Sequence, residues 1–204
     1  MNQTVVSPQI FSEDEHNIAA FFTQQSLAQI VRLQTQLQQQ LGDVIWLTPP
    51  HAAHITLMEI IRDTEYKTLS RKQHFTKWYE RYNQITKDTI AGFGPVCFTF
   101  NQLQVSPNAI IIKAKDPAPF NDIRAALLAK IVLPEGTKQP PDIVHCTLAR
   151  FAKAIDLDEA TAALKTLAVN FEECITEFRL EKDISPPNFR HTTVETYKLG
   201  QQAN

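Results

Sequence analysis

A short segment of this chain occurs twice, and the repetition constrains the fold more than any other feature of the sequence. The segment AAHITLMEI is followed 91 residues later by IVHCTLARF, so a histidine with a threonine two positions later recurs. Both segments are rich in β-branched and apolar residues, which is typical of buried strands. Because successive side chains of a strand point to opposite faces, His54 shares a face with Thr56, and His145 with Thr147. Each strand is therefore predicted to direct an imidazole and a hydroxyl at one ligand.

The spacing of histidine and threonine is weak evidence when it stands alone, because four of the six histidines show it. They are His54, His74, His145 and His191. His74 lies in the helical pattern HFTKW, where a step of two residues turns by about 200° and separates the two side chains. His191 begins a convincing strand, but only thirteen residues follow it. His54 and His145 alone occupy matching places in a repeated order of elements.

The order of the predicted elements points to the fold class. After each of the two histidine strands come a helix and then two strands joined by a turn that contains proline. The sequence therefore predicts an α+β protein of two pseudo-symmetric lobes, each an antiparallel sheet flanked by helices, with a central cleft. Residues 1–204 are interpreted as a single bilobal domain, and residues 1–22 as an N-terminal extension without an assigned role.

The helices are predicted from apolar residues at helical spacing and from capping residues. Ser12 and Glu15 match a capping box that would open the first helix at NIAAFF, and Gly42 would end it. The inward stripe of this helix comprises Leu27, Ile30, Val31, Leu37 and Leu41. The second helix carries an aromatic stripe, assigned to core packing, that comprises Phe75, Trp78, Tyr79, Tyr82 and Ile85. A third helix is predicted over residues 120–131, and Asp156 would cap a fourth.

Charge and cysteine content argue against several classes of protein. The net charge of -2 provides no broad cationic surface, so an extended nucleic-acid interface is not expected. The widely separated Cys97, Cys146 and Cys174 contain no C-x-x-C pair, which argues against a disulfide framework and a cysteine zinc site. No basic leader precedes an apolar core, and no run reaches about 18 apolar residues, so a cytoplasmic protein that does not enter a membrane is expected. It is expected to act as a monomer without a cofactor.

The paired HITL and HCTL segments resemble the signature of the 2H phosphoesterase superfamily, which includes 2',3'-cyclic nucleotide phosphodiesterases and 2'-5' RNA ligase-like proteins. That signature is H-x-[ST]-x with an apolar last position, once per lobe, and both segments match it. The resemblance extends over residues 27–199 and implies hydrolysis of 2',3'-cyclic or 2',5'-linked phosphodiesters of nucleotides or RNA ends. It implies His54 and His145 as acid and base, without assigning either role, and Thr56 and Thr147 as donors to the phosphoryl oxygens.

An arginine follows the second motif, as in some members of that superfamily, where it helps to hold the substrate phosphate. Strict alternation would put Arg150 on the face of Cys146 and Leu148, away from His145. A bulge or twist near the end of the strand would instead turn it toward the substrate. Arg150 is therefore a candidate substrate-binding residue whose orientation the sequence leaves open.

Other chemistries fit the residues less well. A metal site built from His51, His54 and His145 lacks a carboxylate or cysteine at ligand spacing, so no metal is predicted. There is no G-x-S-x-G motif and no phosphate-binding glycine run, and Cys146 should face the back of its strand. Two alternatives to hydrolysis remain, namely binding of nucleotides or RNA ends without turnover and RNA-end joining. RNA contact would be supported by a basic rim of Lys113, Lys115, Lys138 and Arg150.

Overall fold

The computed structural model describes residues 2–6, 15–61, 69–137, 139–185 and 190–200. The helices of the described residues are α1 Gln24–Leu41, α2 Arg71–Ala91, α3 Ala118–Leu128 and α4 Leu157–Ala163. The strands are β1 Glu15–Phe21, β2 Ile45–Leu47, β3 His54–Ile61, β4 Val96–Val105, β5 Ala109–Ala114, β6 His145–Phe151, β7 Phe171–Ile175, β8 Glu177–Ser185 and β9 Arg190–Lys198.

The strands form two antiparallel sheets, which confirms the predicted α+β class. One sheet has four strands in the order β3-β1-β8-β9, and the other has five in the order β2-β6-β5-β4-β7. Each sheet contains one of the two histidine strands, β3 in the first and β6 in the second, and these are called the motif strands below. Buried side chains of both, including Ile55, Leu57 and Leu148, belong to one continuous hydrophobic cluster.

The two sheets are not built from consecutive halves of the chain. The hairpin β4-β5, which follows the first motif strand, joins the sheet of the second motif strand. The hairpin β8-β9, which follows the second motif strand, joins the sheet of the first. The repeated order of elements is therefore present, and each half of the chain contributes its hairpin to the sheet of the other motif strand.

The predicted helix start at NIAAFF is wrong. Residues Glu15–Phe21 form strand β1, whose five central residues are buried. The strand pairs with β3 on one side and β8 on the other. A short apolar run does not distinguish a strand from a helix by periodicity, and the two neighbouring strands decide the outcome here. Ser12 lies outside the described residues, but part of the predicted N-terminal extension is an inner strand of a sheet.

Helix α1 is defined by caps at both ends. The Thr23 hydroxyl accepts a hydrogen bond from the backbone N–H of Ser26, and Gly42, with φ of 54°, ends the helix as predicted. The predicted inward position of Val31 is wrong, because Val31 is 41% exposed and Leu33 is buried in its place.

The remaining helices agree closely with the sequence. On α2, Trp78 and Tyr82 are buried, and the other members of the aromatic stripe pack against the core. Helix α3 begins two residues before the predicted start and ends three before the predicted end. Asp156 caps α4 by accepting from the backbone N–H groups of Asp158 and Glu159. Among the described residues, no helix combines the length and the apolar character needed to cross a bilayer.

The prediction that the cysteines form no disulfide is wrong. Cys97 on β4 is the direct cross-strand partner of Cys174 on β7, with the Cα atoms 4.0 Å apart, and the two are disulfide-bonded. The 77 residues between them hide this pairing in the sequence, because only the sheet order makes β4 and β7 neighbours. Cys146 is the free and buried cysteine of the described residues, as expected for the back of its strand.

Candidate active site

The two motif strands meet near their first residues. Strand β3 contacts β6, and the Cys146 sulfur accepts a hydrogen bond from the backbone N–H of His54. Burial raises the pKa of the Cys146 thiol to about 12, and this hydrogen bond opposes the rise only in part. The cysteine is therefore an uncharged contact between the strands, and the neighbouring His145 lies on the opposite face of β6.

The histidines and threonines of both motifs line one cleft of about 460 Å³. His54 and Thr56 come from one sheet and His145 and Thr147 from the other, and all four are partly buried. Their strand neighbours Ile55 and Cys146 are buried in the core behind them. The structure thus brings together the four residues predicted as acid, base and phosphoryl donors, while their chemical roles stay predictions.

A bulge in β6 places Arg150 in the same cleft. Thr147 pairs with Ile111 of β5 and Arg150 pairs with Ala109, although Thr147 and Arg150 are three positions apart and their partners only two. The extra residue interrupts the alternation at Leu148, so Arg150 shares a face with Thr147. Of the two orientations left open by the sequence, the structure has the one directed into the cleft.

A second bulge in β3 has the same position relative to the first motif. Thr56 pairs with Ala19 of β1 and Glu59 pairs with Asn17, so the extra residue is Leu57. Glu59 is thereby turned onto the face of Thr56 and lines the cleft. The repeat therefore extends beyond the histidine and threonine to a third position, which carries glutamate on one strand and arginine on the other.

His54 is held in one tautomer by a backbone contact. Its Nδ1 lies 2.8 Å from the carbonyl oxygen of Ala52, and because a carbonyl only accepts, Nδ1 carries the proton. Burial is the largest influence on its pKa and lowers it, the hydrogen bond to Ala52 opposes this, and the charges of His191 and Arg150 lower the pKa further. His54 is therefore neutral near pH 7, with Nε2 as the ring nitrogen that can accept a proton.

Comparison with known proteins identifies the family. The model of the 2'-5' RNA ligase superfamily matches residues 23–182, which include both motifs, both bulges and Arg150. The chain belongs to the 2'-5' RNA ligase superfamily. The resemblance to 2H phosphoesterases noted from the two motifs is thereby confirmed, and no curated protein matches the chain significantly by sequence.

Solved structures show the same fold for this superfamily member. TT0787 of Thermus thermophilus is 16% identical with a TM-score of 0.64, and the similarity covers 93% of this chain and all of TT0787. E. coli LigT in its apo form is 14% identical with a TM-score of 0.62, again over 93% of this chain and all of LigT. At this level of identity the similarity concerns the fold and leaves the substrate open.

His191 is a neighbour of the site that sequence reasoning set aside. It lies on β9, and its ring stacks on that of Phe21 at 5.2 Å between centroids, while Phe21 lies 6.1 Å from His54. The Arg179 guanidinium lies over the same phenyl ring at 5.3 Å. His191 is therefore beside the site through Phe21, and it is not among the residues that line the cleft.

The rest of the cleft is polar and contains few cations. Its lining includes the carboxylates Glu15 and Glu59, and amides or hydroxyls from Asn17, Thr48, Gln104, Ser106, Asn108 and Gln139. Of the predicted basic rim, Arg150 lines the cleft, Lys113 and Lys115 do not, and Lys138 lies outside the described residues. Among the described residues, no group of three or more histidines, cysteines or carboxylates is arranged to hold a metal ion.

Proposed function

We propose that this superfamily member hydrolyses a phosphodiester at a nucleotide or RNA end, either a 2',3'-cyclic phosphate or a 2',5' linkage. The observation that carries the proposal is the single cleft lined by both H-x-T motifs and Arg150. Opening a phosphodiester requires a base for the attacking water, an acid for the departing oxygen and donors for the non-bridging oxygens. The cleft contains one set of these groups, divided between two sheets.

His54 is the base in this mechanism, since its pKa is lowered and its Nδ1 already carries a proton. Nε2 of His54 takes a proton from water as the water oxygen bonds to phosphorus. His145 then gives its proton to the ribose oxygen as the bond from that oxygen to phosphorus breaks. The products are a monoester and a free hydroxyl, and proton exchange with solvent restores both imidazoles. No step requires a metal ion.

The remaining residues hold the substrate. Thr56 and Thr147 donate hydrogen bonds to the non-bridging oxygens from the two sides of the cleft. Arg150 attracts the charge that develops on these oxygens. Glu59, at the matching position of the other strand, suits a donor such as a ribose hydroxyl. The charge difference between the two positions thus orients the substrate along the cleft.

Ligands bound to a relative support a nucleotide substrate. E. coli LigT is known in complexes with phosphate, NADP+, 3'-AMP and ATP. All four ligands contain a phosphoryl group, and three of them are nucleotides. We infer a nucleotide phosphodiester as the substrate class here, with binding confined to the cleft and not spread over an extended nucleic-acid surface.

The activity can be tested with 2',3'-cyclic nucleotides and 2',5'-linked dinucleotides in the presence of a chelator. Turnover is expected to survive chelation and to fall by about 10² to 10⁴ in both His54→Ala and His145→Ala, because each removes one acid or base. His74→Ala, on α2 and not among the cleft-lining residues, serves as the matched control. Loss of activity with chelator alone, or full activity in either cleft variant, would contradict the mechanism.

The name of the matched family points to a second candidate, the joining of RNA ends. In that reaction the 5'-hydroxyl of one RNA takes the place of water and attacks the cyclic phosphate of another, so the two imidazoles act as base and acid in the same roles. Incubation of RNA carrying a 2',3'-cyclic phosphate with RNA carrying a 5'-hydroxyl distinguishes the outcomes by product length. RNA of unchanged length with an opened terminal phosphate indicates hydrolysis, a longer RNA indicates joining, and binding without either product indicates a non-catalytic protein.

A further inference from the structure

Arg124 on α3 makes contacts that sequence reasoning missed and that involve both halves of the proposed active site. Its side chain is 4% exposed, although it is charged. Burial lowers its pKa to about 10, with partial compensation by the charge of Asp142, so the guanidinium remains protonated at neutral pH. A buried charge of this kind requires hydrogen bonds on most of its N–H groups.

One side of the guanidinium binds the first motif strand. Nη2 donates to the carbonyl oxygen of Thr56 at 2.7 Å, and Nε donates to that of Leu57 at 2.9 Å. Strand β3 is the edge strand of its sheet, so carbonyl groups along its outer side have no neighbouring strand to bind them. These two carbonyl groups lie at the bulge that separates Thr56 from Glu59.

The other side of the guanidinium binds the segment that leads into the second motif strand. Nη1 lies 2.6 Å from the carbonyl oxygen of Pro141, 3.2 Å from that of Ile143 and 2.8 Å from Oδ1 of Asn121. Asn121 in turn donates through Nδ2 to the carbonyl oxygen of Asp142 at 3.1 Å. Strand β6 begins with His145, two residues after Ile143.

No pairing between strands connects the two sheets among the described residues. The position of His54 relative to His145 is therefore not set by a ladder of backbone hydrogen bonds. The guanidinium group of Arg124 is rigid and planar, and its N–H donors contact both segments in a fixed arrangement. A lysine would supply one compact donor group and would not reach both segments in the same way.

We propose that Arg124 is a positioning residue that sets the distance and orientation between the two motif strands, and hence between the two imidazoles. The inference rests on the proposed function for its catalytic consequence only. A displacement of about 1 Å between reacting groups can cost about 100-fold in rate even when every group is still present. Removal of Arg124 is thus expected to affect turnover more than substrate binding.

The test compares Arg124→Met and Arg124→Lys with Arg32→Met, a control at an exposed position on α1. In folded protein, Arg124→Met is expected to lower kcat about 100-fold with less than a threefold change in KM. Arg124→Lys is expected to recover little of the lost kcat. Guanidinium ion added at millimolar concentration to Arg124→Ala is expected to restore kcat at least tenfold, and ammonium is expected not to. Wild-type kcat in folded Arg124→Met would overturn the proposal.

NMR signals of the two imidazoles provide a readout independent of turnover. Arg124→Met is expected to shift the signals of both His54 and His145. Asn121→Ala removes the hydrogen bond to Asp142 and one acceptor of Arg124 but no contact to β3, so it is expected to shift His145 more than His54 and keeps the test available if the arginine variants do not fold. Unchanged imidazole signals in these variants would overturn the positioning role. A wild-type protein without any turnover, but with the expected shifts, would instead contradict the proposed function.

Discussion

The chemistry of His54 is determined by the groups around its ring. Burial, the largest influence, disfavours the imidazolium and lowers its pKa, and positive charge on His191 and Arg150 acts in the same direction. The carbonyl of Ala52 holds the proton on Nδ1 and partly opposes this effect. Since the ordinary pKa of histidine is about 6.5, the base form of His54 is expected to persist below that pH.

Replacing Arg150 by methionine is expected to raise the pKa of His54. The sign follows from charge, because removal of a nearby cation makes the imidazolium less unfavourable. Titration of the His54 ring signals by NMR in the free protein measures the shift, and the acid limb of kcat/KM should move to higher pH in parallel. Arg32→Met should leave both unchanged, and an unchanged or lowered His54 pKa in Arg150→Met would show that the two groups do not interact.

The two bulges depend on side chains from helices. In β3 the carbonyl of the bulge residue Leu57 accepts from Arg124 on α3. In β6 the carbonyl of the bulge residue Leu148 accepts from Nε2 of Gln34 on α1 at 2.9 Å and from the backbone N–H of Thr48 at 2.9 Å. A bulge removes a residue from the regular ladder, so an external donor is needed for its buried carbonyl group.

Gln34→Met is expected to weaken the bulge in β6 and displace Arg150 from the cleft. Gln34 is 4% exposed, and its amide also donates to the carbonyl oxygen of Thr48 at 2.6 Å, so the variant leaves buried acceptors with fewer donors. The expected cost is about 1–3 kcal/mol in the free energy of unfolding, measured with urea. KM should rise because Arg150 is displaced, whereas Gln39→Met on the exposed face of α1 should change neither quantity.

Local patterns in the sequence predict the orientation of side chains wherever a strand alternates regularly. His54 shares a face with Thr56, and His145 with Thr147, because residues two positions apart in a strand point to the same side. The orientation of Arg150 does not follow this rule, because one bulge between it and Thr147 reverses the phase of the strand.

Contacts that cross between elements leave no local pattern. Arg124 and Gln34 are polar residues on helices, and neither spacing nor composition shows that they bind strand carbonyls. Cys97 and Cys174 become neighbours only through the order of strands in a sheet. The long-range pairing that determines these contacts is the part of the fold that sequence periodicity does not contain.

The disulfide links two neighbouring strands on the exposed surface of the five-stranded sheet. Because 77 residues separate Cys97 from Cys174, the bond restricts a long loop in the unfolded chain. Replacement of both cysteines by serine is expected to lower the free energy of unfolding by about 2–4 kcal/mol and to leave turnover intact, since neither residue lines the cleft.

A reducing agent provides the internal control for this prediction. Dithiothreitol should destabilise the wild-type protein to the level of the double serine variant and should not affect the variant itself. Equal stability of the oxidised protein, the reduced protein and the variant would show that the bond adds nothing to the folded state.

The exchange of hairpins between the sheets affects how the chain reaches its native state. The sheet that carries His54 also requires β8 and β9, more than 120 residues further along the chain than His54, so it cannot be completed before residue 198 has been synthesised. Contacts so distant in sequence slow folding and leave open sheet edges during synthesis. A fragment that ends after β6 would contain both imidazoles and still lack half of the four-stranded sheet, so neither half of this protein can be an independent folding unit.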